Sequence, residues 1–239
     1  MGKPYVICHM MTSLDGKITG DYMSTVGADY VGEKYDKLHD DFKTKVWVCG
    51  RVTFDDNFTF YDKIDLTPYK GVAVAREDFI AVKDAEKYAV SVDPHGKLAW
   101  KNNTIDYNNR VLSHVVEVLT EEVDDAYLSY LQSINVSYIF AGKNAIDLNL
   151  LVEKLQSLLG ANTILLEGGG VLNGAFLNAG LIDELSLMLA PSADGSTTNN
   201  TLFEMQPDLP KVNPTSFNLK SIVRVGNDGL WLTYTVKKS

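Results

Sequence analysis

Continuous apolar runs alternate with amphipathic stretches along this chain, and the order of the two patterns predicts its elements. Tyr5 to Met11 is an almost wholly apolar run of strand length. It passes straight into Thr12-Ser13-Leu14-Asp15-Gly16-Lys17, where the Asp-Gly pair marks a turn. From Val31 to Lys43 the period changes. Val31, Tyr35, Leu38 and Phe42 recur at helical spacing with Glu33, Asp36, Lys37, Asp40 and Asp41 between them, which predicts a helix with one apolar stripe. Lys45 to Cys49, Gly71 to Ala75, Tyr88 to Val92 and Val111 to Leu119 read as strands, and the polar, Asn-rich stretch Asp93 to Asn109 as a surface excursion. Asp124 and Asp125 open a short helix to Ile134, because acids favour the positive end of a helix, and Ser137 to Phe140 is the next strand.

Leu148 to Leu159 carries a helical apolar stripe, with Gly160 as a natural stop. The unit that follows is the most informative: an apolar strand, Thr163 to Leu166, a glycine turn, Glu167-Gly168-Gly169-Gly170, a short helix, Val171 to Asn178, and another buried strand, Glu184 to Leu189. Phe217 to Val225 and Leu230 to Val236 form a terminal hairpin around Gly226-Asn227-Asp228-Gly229. Strands alternating with helices and reading as apolar runs predict an α/β fold. Its central sheet is mainly parallel, flanked by helices, with an antiparallel hairpin at the end. No repeat or linker divides the sequence, so one domain over residues 1–239 is expected, with Ala193 to Asn200 as a surface loop.

Composition narrows the function. With 239 residues and 45% apolar content, the chain can bury a core without disulfide or metal. Twenty-two basic against 31 acidic residues leave a formal charge of −9, which repels nucleic-acid backbones and anionic lipid. Cys8 and Cys49 sit in apolar runs and read as free core thiols in a reducing compartment. No run approaches the roughly 18 apolar residues of a membrane span. A cytoplasmic, unprocessed protein with a small-molecule substrate is expected, without nucleic-acid or membrane partners.

A strand, three glycines and a helix can hold an anion: without Cβ atoms the backbone turns sharply, and helix-start N–H groups face the ligand. Gly168, Gly169 and Gly170 are therefore candidates for a phosphate, the alternative being a tight turn only. The spacing departs from the dinucleotide fingerprint, because Asn173 stands where its third Gly belongs. Gly50-Arg51-Val52-Thr53 is a second such element, combining close approach, a planar charged fork and a hydroxyl. Both turns follow strands, so both are expected at the carboxyl edge of the sheet. Glu167 ends an apolar strand, where an unpaired carboxylate is costly, and so calls for a ligand or a fixed partner. Asp15 serves equally as turn former or catalytic group. His9 reads as a satisfied core residue, and His39 as either exposed or facing the cleft.

These two turns together resemble the cofactor-phosphate turns of the dihydrofolate reductase fold. Ser13-Leu14-Asp15-Gly16-Lys17-Ile18, the run from Glu167 to Phe176, and Gly180-Leu-Ile-Asp-Glu-Leu resemble the RibD C-terminal family, the reductase domain of riboflavin biosynthesis. The resemblance extends over nearly the whole chain. It implies an NADPH-dependent reductase, similar to 5-amino-6-(5-phosphoribosylamino)uracil reductase, that is a homodimer and uses no metal or flavin. Gly168, Gly169, Gly170, Leu172 and Asn173 would line the pyrophosphate, Gly50 and Thr53 would meet cofactor phosphates, and Arg51 would face the 2′-phosphate. Thr12, Ser13, Asp15 and Gly16 would lie over the nicotinamide, and Glu167, Asp15 or His39 would position the hydride acceptor. The chain departs from the family where an Arg late in the first helix grips a ribose phosphate: His39, Asp40 and Asp41 stand there. Asp55-Asp56-Asn57 likewise replaces the usual Asp-Asp-Pro. The alternative is a non-catalytic NADP(H)-binding or sensor protein on the same scaffold. A zinc deaminase motif is absent from the sequence.

Overall fold

The computed structural model describes residues 2–205 and 214–237. In chain order its main elements are β1 (Tyr5–Thr12), α1 (Val26–Asp41), β2 (Val46–Gly50), α2 (Arg51–Phe54), β3 (Tyr88–Val92), β4 (Thr104–Ile105) and β5 (Ser113–Leu119). There follow α3 (Asp125–Ser133), β6 (Ser137–Phe140), α4 (Leu148–Leu159), β7 (Thr163–Leu166), α5 (Gly170–Asn178), β8 (Glu184–Leu189), β9 (Phe217–Val225) and β10 (Gly229–Val236). The chain packs as two compact units, one of Met1–Pro4 and Thr44–Ile164, the other of Tyr5–Lys43 and Leu165–Ser239.

In the first unit β2 pairs parallel with β3, β3 with β5, and β5 with β6, while the short β4 runs antiparallel to β5. The strands are buried on both faces, which is why they read as uninterrupted apolar runs. Asp124 caps α3 by accepting from the Ala126 N–H, and Asp147 caps α4 through Asn149 and Leu150. Gly160 ends α4 at φ 71°, the left-handed conformation that glycine adopts without penalty.

In the second unit β1 pairs parallel with β8, which pairs antiparallel with β10, and β10 with β9, so the terminal hairpin is built as expected. Helix α1 lays Val31 and Leu38 on Met188 and Val225, with Tyr35, Phe42 and Trp231 packed around them. Cys8 and Cys49 are both buried, and neither takes part in a disulfide.

Three expectations need correction. No strand forms at Gly71 to Ala75: Gly71 takes φ 81° and Val72 is 53% exposed, so the short apolar alternation has no surface to cover. Asp93 to Asn109 is not a surface excursion, because Leu98, Ala99, Trp100 and Ile105 are buried. The Asp93 carboxylate accepts the Lys97 and Leu98 N–H groups and so folds the following residues inward. Helix α1 starts at Val26 rather than Val31, since the Thr25 side chain accepts from Ala28 N–H; its first turn buries only Ala28 and leaves Val26 exposed, so it carries little of the apolar stripe.

Candidate active site

Strand β7 delivers Glu167 and the three glycines to the start of α5. Gly168 takes φ 101°, which L side chains rarely adopt, and the Gly168–Gly169 peptide is cis. Gly169 precedes the helix in extended conformation and offers no side-chain cap, so the first-turn N–H groups of α5 receive none. That geometry suits an anion. The later glycines answer to the protein's own backbone. A Cβ on Gly170 would lie 2.2 Å from the Thr201 carbonyl oxygen, and one on Gly174 would lie 2.0 Å from that of Glu204. Residues 201–204 are held there by Glu204 N–H donating to Gly170 (2.9 Å) and Asn173 Nδ2 donating to Leu202 (3.1 Å). Asn173 is fully buried, and its Oδ1 has no partner among the described residues.

Behind this turn lies a buried ionisable pair. His39 sits on the inner side of α1, and its Nδ1 is 2.9 Å from both carboxylate oxygens of Glu167. The imidazole is fully buried and the carboxylate 3% exposed. An ionised carboxylate only accepts, so Nδ1 carries the hydrogen and donates it. Nε2 lies 4.0 Å from Asp40 Oδ1. Burial, reinforced by the charge of Glu167, pushes the Cys8 thiol far up, so Cys8 stays protonated beside the pair. His9 is a core residue: Nδ1 meets Ser186 Oγ at 3.0 Å, Nε2 meets the Tyr35 carbonyl at 3.2 Å, and its ring stacks on Tyr35.

The turn after β1 is organised by Asp15. Its Oδ1 accepts from the Ser13 hydroxyl (2.6 Å) and Asp194 N–H, and its Oδ2 from Gly195 N–H. The Ser13 hydroxyl, then these two amides, hold the carboxyl below the usual range. Ser13 Oγ also accepts from Lys17 N–H, Gly16 takes φ 79°, and buried Thr12 pairs with Leu189. Ile18 N–H donates to Asn200, and Leu202 N–H to Gly16. Residues 190–204 thus form one strap, stitched at one end to the Asp15 turn and at the other to the glycine turn.

In the first unit Gly50 leads into α2 in ordinary extended conformation, φ −78°, and Thr53 lies inside the helix with its carbonyl accepting from Asn57. Arg51 Nη1 donates to Asp55 Oδ2 at 2.5 Å, and Asp55 Oδ1 accepts from Thr59. Beyond the ion pair lie Asp93 and Glu117, both almost fully buried. Glu117 accepts from Trp100 Nε1. Burial first, then the Asp93 charge, push the Glu117 carboxyl well up; burial likewise raises Asp93 against the pull of the Lys97 and Leu98 amides.

The model of the RibD C-terminal domain matches residues 87–230. The chain belongs to the RibD C-terminal domain family. It is 26% identical over 235 residues to the 2,5-diamino-6-ribosylamino-4(3H)-pyrimidinone 5′-phosphate reductase of Methanothermobacter thermautotrophicus, covering 98% of this chain and 99% of that one. A pyrimidine reductase-like protein from Corynebacterium diphtheriae has a similar structure (TM-score 0.69, 16% identity, 99% of this chain and 93% of that one). So has RibD of Acinetobacter baumannii (TM-score 0.66, 17% identity), with 99% of this chain matching 59% of that one. These structural likenesses place the fold.

Within this RibD-family chain, the structure joins two of the three candidate catalytic residues, His39 and Glu167, and gives Asp15 a separate set of partners. Glu167 has the fixed partner that its position demanded. The sequence reading missed Asp93 and Glu117, the two acids beyond the Arg51–Asp55 pair. Their signals were present: Glu117 interrupts the apolar run His114-Val-Val-Glu-Val-Leu, and Asp93 directly follows a buried strand.

Proposed function

We propose that this chain is an NADPH-dependent reductase of riboflavin biosynthesis, acting on a ribosylaminopyrimidine phosphate such as the one its Methanothermobacter relative is named for. The observation that carries the reading is the buried His39–Glu167 pair beside the glycine turn, in a chain of this family. A nicotinamide cofactor, when bound, supplies the hydride. The uncapped start of α5 and the open backbone at Gly168 and Gly169 fit its pyrophosphate, with Leu172 alongside and Asn173 holding the strap that borders the turn.

Glu167 then orients the acceptor by taking hydrogen bonds from its N–H or O–H groups. His39, donating through Nδ1, fixes that carboxylate in direction. The hydride goes to carbon and a proton to the adjacent heteroatom, so a pair able to hold or release a proton there suits the reaction. Asp15 orders the turn near the substrate rather than handling the proton. Preference for NADPH rests on Arg51: Asp55 takes one of its N–H groups, and the remainder of the fork suits a 2′-phosphate. A cytoplasmic homodimer completes the reading; among the described residues no helix is long and apolar enough to cross a membrane.

The test is oxidation of NADPH, followed by its absorbance, with 2,5-diamino-6-ribosylamino-4(3H)-pyrimidinone 5′-phosphate as acceptor. Turnover is expected in the parent, with a loss of about 100-fold or more in Glu167→Gln and His39→Gln. Tight NADPH binding without oxidation of this or related pyrimidine and imine acceptors would refute the reductase and leave a nucleotide-holding protein.

A further inference from the structure

Helix α1 packs on one face of β8, β9 and β10, where it meets Met188, Val225 and Trp231. Strand alternation turns the neighbours of these residues to the opposite face, and the register arranges them in three rows. Leu185, Tyr234 and Leu219 form one row, and Leu187, Leu232 and Ile222 the next. The third is Leu189, Leu230 and Arg224, so eight of the nine positions are apolar or aromatic and one is charged. The face that α1 covers is the more polar of the two, because Ser186, Ser221, Thr233 and Thr235 lie on it.

An antiparallel sheet with one solvated face carries its apolar residues on the covered side and polar ones on the other. In this hairpin the pattern is reversed. Exposure rises outward from the core: Leu185 is buried, the β10 side chains of the grid are half-buried, and Leu219 and Ile222 on β9 are 53% and 59% exposed. Three strands about 4.8 Å apart and about 25 Å long present about 350 Å² in plan. A patch of that size is large for a monomer, and it suits the apolar core of an interface that buries about 800 Å² per partner.

We propose that this face packs against the same face of a second copy of the chain, sheet on sheet. Composition selects that occupant: interfaces that form and break are about as polar as the rest of a surface, whereas homodimer interfaces are more apolar and resemble a core cut in half. Charge agrees with it. Two copies of a chain of net −9 repel each other, and none of the nine positions is acidic, so they meet here at least cost. Arg224 stands at the turn end of β9. A two-fold axis that runs the strands of the two copies antiparallel therefore keeps the two guanidinium groups at opposite ends of the interface. This face is then the surface of the homodimer proposed above; the number of copies rests on that reading, and the choice of face does not.

Sedimentation velocity of the intact chain at micromolar concentration tests the surface, with three proteins compared: parent, Leu219→Glu/Ile222→Glu and Val72→Glu/Leu112→Glu. The last pair adds the same charge at equally exposed apolar positions of the other unit. The parent and Val72→Glu/Leu112→Glu should sediment as dimers, and Leu219→Glu/Ile222→Glu should dissociate with a Kd raised at least about 100-fold, since like charges would face each other out of water. Hydroxyl-radical labelling of the parent needs no variant. Leu219 and Leu112 are 53% and 51% exposed in the single chain, and water excluded by a partner should leave Leu219 labelled at most about half as strongly. A monomeric parent would refute both this surface and the homodimer. A dimer unaffected by Leu219→Glu/Ile222→Glu, or equal labelling of the two leucines, would refute the surface alone. Equal dissociation of Val72→Glu/Leu112→Glu would assign the effect to net charge and overturn it as well. None of these outcomes depends on NADPH turnover.

Discussion

Gly174→Ala sets helix propensity against packing. In a helix interior Ala is favoured over Gly by about 1 kcal/mol, so propensity alone predicts a more stable protein. The structure predicts the reverse. The new Cβ would lie 2.0 Å from the Glu204 carbonyl oxygen, 2.7 Å from its carbon and 3.1 Å from its nitrogen. A carbon–oxygen contact settles at roughly 3.3 Å, so the strap must retreat by about 1.3 Å. That retreat loosens Glu204 N–H to Gly170 and Asn173 Nδ2 to Leu202, each worth about 1 kcal/mol, and overpacking adds about 1–3 kcal/mol. The net is a destabilisation of about 2–4 kcal/mol, or roughly 5–15 °C in Tm for a chain of this size. Gly32→Ala is the matched comparison: it lies inside α1 with nothing within 4 Å of its Cβ. It should raise Tm by about 2–4 °C. Thermal unfolding of both variants decides the matter. A Gly174→Ala protein as stable as Gly32→Ala would refute the claim that the strap's backbone, rather than a bound ligand alone, requires glycine there.

Arg51→Ala should destabilise by about 1–3 kcal/mol in urea, less than for a wholly buried pair because Arg51 is 31% exposed, and Asp55→Asn added to it should recover much of the loss; no recovery would refute the pairing. Cofactor preference is therefore best read in the Arg51→Ala/Asp55→Asn protein. Burial, then the Asp93 charge, push the Glu117 carboxyl well above its ordinary value of 4.5, so as pH rises through that value the unfolded chain loses a proton more readily than the folded one. Stability should fall as pH rises from there, by at most about 1.4 kcal/mol per pH unit, until the folded carboxyl ionises. Glu117→Gln should flatten that slope above about pH 5 in chemical unfolding, and an unchanged slope would contradict it. Asp15→Ala should speed hydrogen exchange at the Asp194 and Gly195 amides, which the carboxylate now holds; unchanged protection would exclude its role as the clasp of the strap.

Local pattern was enough for most of the architecture. Buried strands such as Thr163–Leu166 and capped helices such as Leu148–Leu159 declare themselves because period, cap and stop agree within one segment. The same holds for the glycine turn, since a helix start without side chains or caps is a local property of Gly168 to Gly170. Gly71 to Ala75 failed because a strand needs a neighbour, and a short apolar alternation does not say whether one is there. Asp93 to Asn109 failed because one carboxylate turned a polar stretch inward.

The candidate site divides along the same line. That Glu167 required a partner followed from a charge at the end of an apolar strand, and so did the presence of an anion-suited turn beside it. That the partner is His39, 128 positions away, depended on α1 turning its inner face to that strand end. That the Asp15 carboxylate holds two amides, those of Asp194 and Gly195, depended on the strap 180 positions on. Gly174 showed its purpose only when residues 201–204 came to rest on it. The sequence determined which groups could not stand alone, because burial cost and backbone freedom belong to each residue and its near neighbours. Only the tertiary structure decided what each of them met, because those partners lie far along the chain and are brought close by packing.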